Sequence, residues 1–214
     1  MALICGVDEA GRGPMMGPMV MCGFVIDEED IGRLQDLGVK DSKKLTAKQR
    51  EALFDDVIKL AVKYEIVIVS AKEIDEAVES ETSNLNWLEA IKTSMILNKL
   101  QPEKAIVDSP SNNKQAYGDF LKTYLKDKEL QLQLEHNAER FLPVAAASIL
   151  AKVTRDREIE KLKVKYGDFG SGYPSDPKTK DYLKENWKKH PEIFRKTWAS
   201  YKKVAVNQKN LGCF

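Results

Sequence analysis

Histidine is nearly absent from this chain, His136 and His190 being the only two in 214 residues. A cage of imidazoles around a transition metal, or a histidine general base, therefore has almost nothing to draw on. Cysteine is nearly as scarce. Cys5, Cys22 and Cys213 are odd in number and lack CxxC spacing, which argues against a disulfide framework or a thiolate zinc site and suits a reducing compartment. No apolar run approaches the roughly 18 residues that span a bilayer. The apolar start is broken at once by Asp8, Glu9 and Arg12, unlike a signal peptide. These absences predict a cytoplasmic protein without membrane association, monomeric by default. Internal repeats and low-complexity linkers are missing too.

Carboxylates, by contrast, are plentiful, with 33 Asp and Glu in the chain. Hard oxygen ligands suit Mg²⁺ or Mn²⁺, so any metal chemistry here is oxygen chemistry. The formal net charge of +1 conceals an asymmetry: from Arg140 onward there are 17 Lys and Arg against 8 acids, and before it 17 against 25. The basic C-terminal third is either a set of solvated helix faces or a phosphate-binding surface, and charge alone does not choose. A chain of this length, 43% apolar, can bury one core and carry a small appendage.

Leu3 to Glu9 reads as a buried strand ending on two acids, and Pro18 to Ile26 as a second apolar strand after a Gly/Pro-rich turn. Thr46 with Gln49 three residues on is a capping-box start for a helix whose Leu53, Phe54, Val57, Leu60 and Ala61 recur at helical spacing. Tyr64 to Ser70 returns as a β-branched strand. A helix over Leu85 to Leu100 is stopped by Pro102, and the short strand Ala105-Ile106-Val107 then delivers Asp108 to its end. A helix from about Gln115 to Lys126, a strand over Leu130 to Leu134 and a long helix over Val144 to Lys165 follow. Gly167 to Pro177 is loop, and the rest is helical and basic. Strands interleaved with helices predict an α/β fold with a mixed sheet, any boundary for a small helical C-terminal extension falling near Gly170.

Two adjacent acids beside a buried strand are either a solvated turn or a compensated site, since buried carboxylates are normally paired or cation-bound. Asp108 weighs toward the site: it too ends an apolar strand, and strand ends in α/β sheets are where sites gather.

The run Gly6-Val7-Asp8-Glu9-Ala10-Gly11-Arg12-Gly13-Pro14 with Gly17-Pro18 resembles the N-terminal signature of type 2 ribonucleases H. Further blocks resemble the family in the same order: Val39-Lys40-Asp41-Ser42-Lys43-Lys44-Leu45, Val107-Asp108-Ser109, Ala145 through Asp156, and Gly170 through Pro177. The likeness covers nearly the whole chain and is strongest to the archaeal branch. It implies a ribonuclease H-like mixed sheet flanked by helices over residues 1–170, a helical C-terminal extension over 171–207 and a tail over 208–214. It also implies a divalent-metal site of four carboxylates, three of them Asp8, Glu9 and Asp108.

At the fourth position the sequence departs from the archaeal pattern, which places an aspartate in a His-Lys-Ala-Asp segment. Here the segment reads His136-Asn137-Ala138-Glu139, with one residue fewer before Ser148. Glu139 is the candidate, a longer side chain on a shorter loop. Asp156 is its rival, although Arg155 and Arg157 beside it suggest a helix salt bridge.

The resemblance further implies hydrolysis of the RNA strand of RNA/DNA hybrids. It implies cutting 5′ of ribonucleotides embedded in DNA, with two metal ions and 5′-phosphate and 3′-hydroxyl products. Such an enzyme must read a 2′-hydroxyl. Gly11, Arg12 and Gly13 match the family's backbone-contact motif, and Tyr173 matches the tyrosine at the RNA–DNA junction. Lys43, Lys44 and the C-terminal lysines are candidates for phosphate contacts. Ser148 is a further one, through its hydroxyl and free helix-start amides. The tail, with Gln208, Leu211 and Phe214 at three-residue spacing, resembles a sliding-clamp interaction motif. Two other readings stay open: a non-catalytic hybrid-binding module, and another ribonuclease H-like nuclease acting on DNA.

Overall fold

The computed structural model describes residues 2–40 and 42–211, with side chains as far as Val206. Five strands form one mixed sheet: β1 (Leu3–Ala10), β2 (Met19–Asp27), β3 (Lys63–Val69), β4 (Lys104–Asp108) and β5 (Gln131–Glu135), in the order β3-β2-β1-β4-β5. β2 runs antiparallel to both β1 and β3, whereas β4 and β5 run parallel to β1. The central position of β1 explains its unbroken apolar run, because both of its faces are covered.

Helices clothe both faces. On one lie α4 (Leu85–Leu100) and α5 (Lys114–Tyr124), whose Ile96, Leu97 and Leu121 pack against Cys5 and Val7. On the other lie α2 (Ala47–Leu60) and the long α6 (Leu142–Tyr166), where Phe54, Ala146, Ile149 and Leu150 meet Ala10, Val20 and Phe24. Close approach of α6 is possible because β1 carries Gly6: a Cβ there would lie 2.1 Å from the Pro143 carbonyl carbon.

Two short helices add to the elements expected from the sequence, α1 (Ile31–Asp36) and α3 (Ala71–Glu79), the latter turning Ala71 and Ile74 inward. The expected helix start at Thr46 carries both reciprocal bonds of a capping box, and α3 begins with the same device, Ser70 with Glu73. The helix expected to run to Lys126 ends at Tyr124, where Leu125 turns extended and Asn98 accepts the Lys126 amide at 2.8 Å.

After a loop come α7 (Pro177–Asn186) and α8 (Ala199–Leu211). They enclose a third apolar cluster in which Phe169, Leu183, Phe194 and Tyr201 pack onto Met15, Met16 and the Ile159 turn of α6. Of the clamp-like tail, Gln208 and Leu211 fall in the last turns of α8, and Phe214 lies outside the described residues.

Candidate active site

The register of β1 decides where its two acids go. Cys5 and Val7 belong to the core beneath α4 and Ala10 to the core beneath α6, so side-chain alternation sends Asp8 toward α6 and Glu9 toward α4. On β4, Val107 pairs with Val7, which sets Asp108 beside Asp8 on the α6 face, one step beyond the last pair. Both acids thus meet at the C-terminal edge of two parallel central strands, in a cleft of about 600 Å³. Glu9 lines it from the opposite face of the sheet.

Glu139 completes the cleft. Asn137 adopts a left-handed conformation (φ 53°, ψ 47°), which reverses the chain into a 3-10 turn over Ala138–Arg140 and tucks Glu139 inward, 4% exposed. Its Oε1 accepts from Ser42 Oγ at 2.7 Å, Ser148 Oγ at 2.6 Å and Lys152 Nζ at 2.7 Å, and Lys43 Nζ lies 3.3 Å from Oε2. Asp108 Oδ1 accepts the Ala138 amide at 3.2 Å, which ties the two acids' loops together. The rival Asp156 also lines the cleft, but it pairs with Arg50 at 3.7 Å.

Ionisation of Asp8, Glu9 and Asp108 is opposed by their surroundings. Burial raises the Asp8 pKa well above the ordinary value, with Glu9 and Asp108 adding to the rise. Burial pushes Glu9 up to about 8, with further upward pressure from Glu89 and Asp108 against Arg12 and Lys152. Asp108 is raised as well, again chiefly by burial. Among the described residues no three acidic, histidine or cysteine side chains close around one ion-sized point. The donor set nevertheless fits a hard divalent cation: all-oxygen ligands whose mutual repulsion a cation relieves better than protons do.

The Gly11-Arg12-Gly13 loop forms one rim, and its backbone orientation is fixed from behind. Arg195, fully buried, donates to the carbonyls of Gly11 (Nη2, 2.6 Å), Arg12 (Nη1, 2.7 Å) and Gly17 (Nε, 3.2 Å), while Trp198 Nε1 donates to Gly13 O at 3.1 Å. In a trans peptide the N–H points opposite to the C=O, so the amides of Arg12 and Gly13 are aimed away from Arg195. Gly11 sits at φ +82°, and a Cβ there would lie 2.2 Å from Arg155 Nε. Tyr173 stands at the same rim, its Cε1 within 3.7 Å of where a Gly13 Cβ would be.

Lys43 lines the cleft, whereas Lys44 lies on a neighbouring one with Lys40, Asn137 and Arg140. Ser148 departs from the expectation. Its helix starts six residues earlier, at Leu142, so no free amide remains there, and its buried hydroxyl is spent on Glu139, Ser42 and Lys152. The structure adds Ser42, Lys152, Glu89 and Arg195, which sequence reasoning passed over, and brings to the cleft Arg155, read from the sequence only as a salt-bridge residue beside Asp156. Ser42 and Lys152 lay inside quoted family blocks, but nothing in the sequence signals that Arg195 is buried.

A mixed five-stranded sheet with an acidic cleft at the edge of its central parallel strands defines a ribonuclease H-like nuclease. The profile described as Ribonuclease HII matches residues 5–201, and the chain belongs to that family. It is a type 2 ribonuclease H, a hydrolase acting on RNA/DNA hybrids. Ribonuclease HII of Pyrococcus horikoshii is 50% identical over 207 residues, covering 94% of this chain and 92% of that protein. The crystal structure of that organism's ribonuclease H2 superposes with a TM-score of 0.88 at 47% identity, covering 97% and 99% of the two chains. The ribonuclease HII of Archaeoglobus fulgidus, solved in complex with PCNA, superposes with a TM-score of 0.80 at 42% identity, covering 94% of each chain.

Proposed function

We propose that the enzyme cuts on the 5′ side of ribonucleotides, in hybrids and at single ribonucleotides within DNA, leaving 5′-phosphate and 3′-hydroxyl ends. The observation that carries this reading is the cleft itself, which Asp8, Glu9, Asp108 and Glu139 all line together with the Gly11–Gly13 loop and Tyr173. The four carboxylates would hold Mg²⁺ or Mn²⁺, and a pair of such ions supplies water activation and neutralisation of phosphate charge.

The protein's own groups do the rest. Amides of Arg12 and Gly13, held rigid through Arg195, donate to a ribose hydroxyl or its phosphate, and glycine on either side lets the sugar come close. The Tyr173 ring covers the neighbouring sugar and excludes water from that side. Lys43 and Lys152 place positive charge at the acid cluster, where the phosphate must enter.

A labelled DNA duplex with one ribonucleotide, incubated with Mg²⁺ or Mn²⁺ and mapped at nucleotide resolution, tests the reading. One cut 5′ of the ribonucleotide supports it. Binding without cutting favours a non-catalytic module, and cuts in all-DNA duplex favour a different nuclease. For the tail we infer a sliding-clamp partner, supported by the Gln208, Leu211, Phe214 spacing and by the PCNA complex of the Archaeoglobus relative.

A further inference from the structure

Exposed apolar side chains gather where one edge of the sheet ends. Val62, Tyr64 and Ile68 are 52%, 42% and 47% exposed on or just before β3, the outermost strand on that side. Met95, 53% exposed, lies one turn before Lys99 on α4, and Lys99 Nζ reaches Glu65 Oε2 of the same strand at 2.6 Å. Soluble proteins usually cover such an apolar edge or guard it with charge.

The register shows which main-chain groups the edge offers. The Glu28 amide donates to Ala2 O, one step beyond the Leu3–Asp27 pair, so even-numbered residues of β1 and β2 exchange hydrogen bonds. Odd-numbered residues of β2 then face β3, where Met21, Gly23 and Val25 pair with Val67, Glu65 and Lys63. The N–H and C=O groups of Tyr64, Ile66 and Ile68 are left pointing outward, and among the described residues no other backbone segment bonds them. Ile66 packs on the core beneath α6, and by alternation Tyr64 and Ile68 project from the same face of the sheet. The opposite edge is guarded. On β5 only Leu132 and Leu134 turn main chain outward, since Gln131 N donates to Glu103 O and Ser109 N to Glu135 O, and the groove beside them carries Lys114 and Lys122.

We infer that β3 pairs antiparallel with β3 of a second copy of this chain, about a two-fold axis through Ile66. The strand's self-complementarity selects this occupant. With Ile66 opposite its own mate, Tyr64 falls opposite Ile68 of the second copy, and each facing pair of outward residues exchanges two hydrogen bonds. A shift of two residues in either direction loses one of those pairs. The Tyr64–Ile68 contacts join an aromatic ring to a β-branched side chain on surface that is otherwise wet. Charge does not oppose the pairing: Glu65 brings its own Lys99 to the axis, and each lysine can serve either carboxylate. Because β2 is antiparallel to both β1 and β3, the two copies of β1 run in opposite directions, about 24 Å apart across five strand spacings. The two clefts therefore open at opposite ends of one continuous sheet, and neither is covered.

Sedimentation equilibrium on the full chain should show a reversible monomer–dimer equilibrium with a Kd of roughly 10 to 500 µM, in keeping with a small interface. Tyr64→Lys combined with Ile68→Lys sets like charges opposite each other in both pairs. It should weaken association by roughly a hundredfold or more while melting and cleavage per chain stay unchanged. Tyr64→Glu combined with Ile68→Glu, mixed with the lysine variant, should restore association as a heterodimer. Cysteines read the register. In a Cys213→Ser background Ile66→Cys should oxidise to a cross-linked dimer, because facing Cα atoms of a hydrogen-bonded pair lie about 5.5 Å apart. Tyr64→Cys should not cross-link to itself, its mate lying roughly 13 Å away along the strand, yet should cross-link to Ile68→Cys. Where a charged variant melts below wild type, this cross-linking pattern decides. Association undiminished in the lysine variant, or self-cross-linking of Tyr64→Cys in place of Ile66→Cys, overturns the inference. So does a chain that stays monomeric well above that Kd range, which would leave the edge to a strand of another protein.

Discussion

Arg12 braces its guanidinium on α4, with Nε 2.8 Å from Glu89 Oε1 and Nη2 2.7 Å from Asn86 Oδ1. Glu89 is 1% exposed, and burial pushes its pKa up to about 7 against the pull of Arg12 and Arg195. The arginine of the glycine-flanked loop therefore ties that loop to a buried carboxylate of α4.

That geometry predicts an asymmetry between the partners. Arg12→Ala strands a buried carboxylate and should cost about 1–3 kcal/mol in urea unfolding, whereas the paired replacement Arg12→Met with Glu89→Leu should recover most of that stability. Cleavage at a single ribonucleotide should stay impaired in the pair, since the loop has lost its strut. Full recovery of both stability and cleavage in the double variant would contradict the bracing role.

The acid cluster predicts how metal-free stability varies with pH. Glu9 sits near 8 against an ordinary 4.5, and Asp8 and Asp108 are also raised. A carboxyl whose folded pKa is raised contributes stability that is complete below its unfolded value and fades as pH rises through the folded one. In chelator, the enzyme should become less stable between pH 6 and pH 9, and Asp8→Asn should flatten that decline while abolishing cleavage. Mg²⁺ should restore stability most at the alkaline end, because the ion competes with protons. Denaturation series with and without Mg²⁺ measure all three effects.

Glu139 takes four polar partners on its two oxygens, and its charge and hydrogen bonding separate experimentally. Glu139→Gln keeps an acceptor for Ser42 and Ser148 but removes the anion. It should reduce turnover at saturating Mg²⁺ by about a hundredfold or more with little change in melting. Glu139→Ala should lose activity and stability together, because Lys152 is left without its carboxylate. Wild-type turnover in both variants would return the fourth position to Asp156.

Much of this was legible in the residues, and the gaps have physical causes. Long apolar periodicity and a terminating proline located α4 to the residue, and the capping box at Thr46 located the start of α2. The same box at Ser70 went unread because α3 is short. Strand ends announced Asp8, Glu9 and Asp108, since acids on apolar strands stand out. Nothing in the chain order announces that Asp8 and Glu9 approach the cleft from opposite faces, because that follows from which helices cover each face. Ser148 was misplaced for a related reason: the small-residue run looks like a helix start, yet Pro143 already occupies the first turn.

The tail makes a separable prediction. Deleting residues 208–214 should abolish binding to a sliding clamp and leave cleavage of short duplexes intact. Surface-immobilised clamp and a gel assay read the two arms, and loss of short-duplex cleavage would mean the segment serves the catalytic domain instead.

Arg195 ties the C-terminal segment to the site. It is fully buried, stacks on Trp198 at 5.0 Å, and makes hydrogen bonds to three loop carbonyls, while the backbone following it is held by Asp75, which accepts the Lys196 and Thr197 amides. Arg195→Met leaves those carbonyls without donors and should cost about 3–5 kcal/mol, the scale for breaking a buried charged contact. Arg195→Lys has one ammonium where three carbonyls need a fork, so it should restore part of the stability but not the aim of the Arg12 and Gly13 amides. The sharper readout is therefore selectivity. Arg195→Lys should lose more rate at a single embedded ribonucleotide, where one sugar must be read, than on a long hybrid that offers many registers. Equal losses on the two substrates would confine Arg195 to holding the fold together.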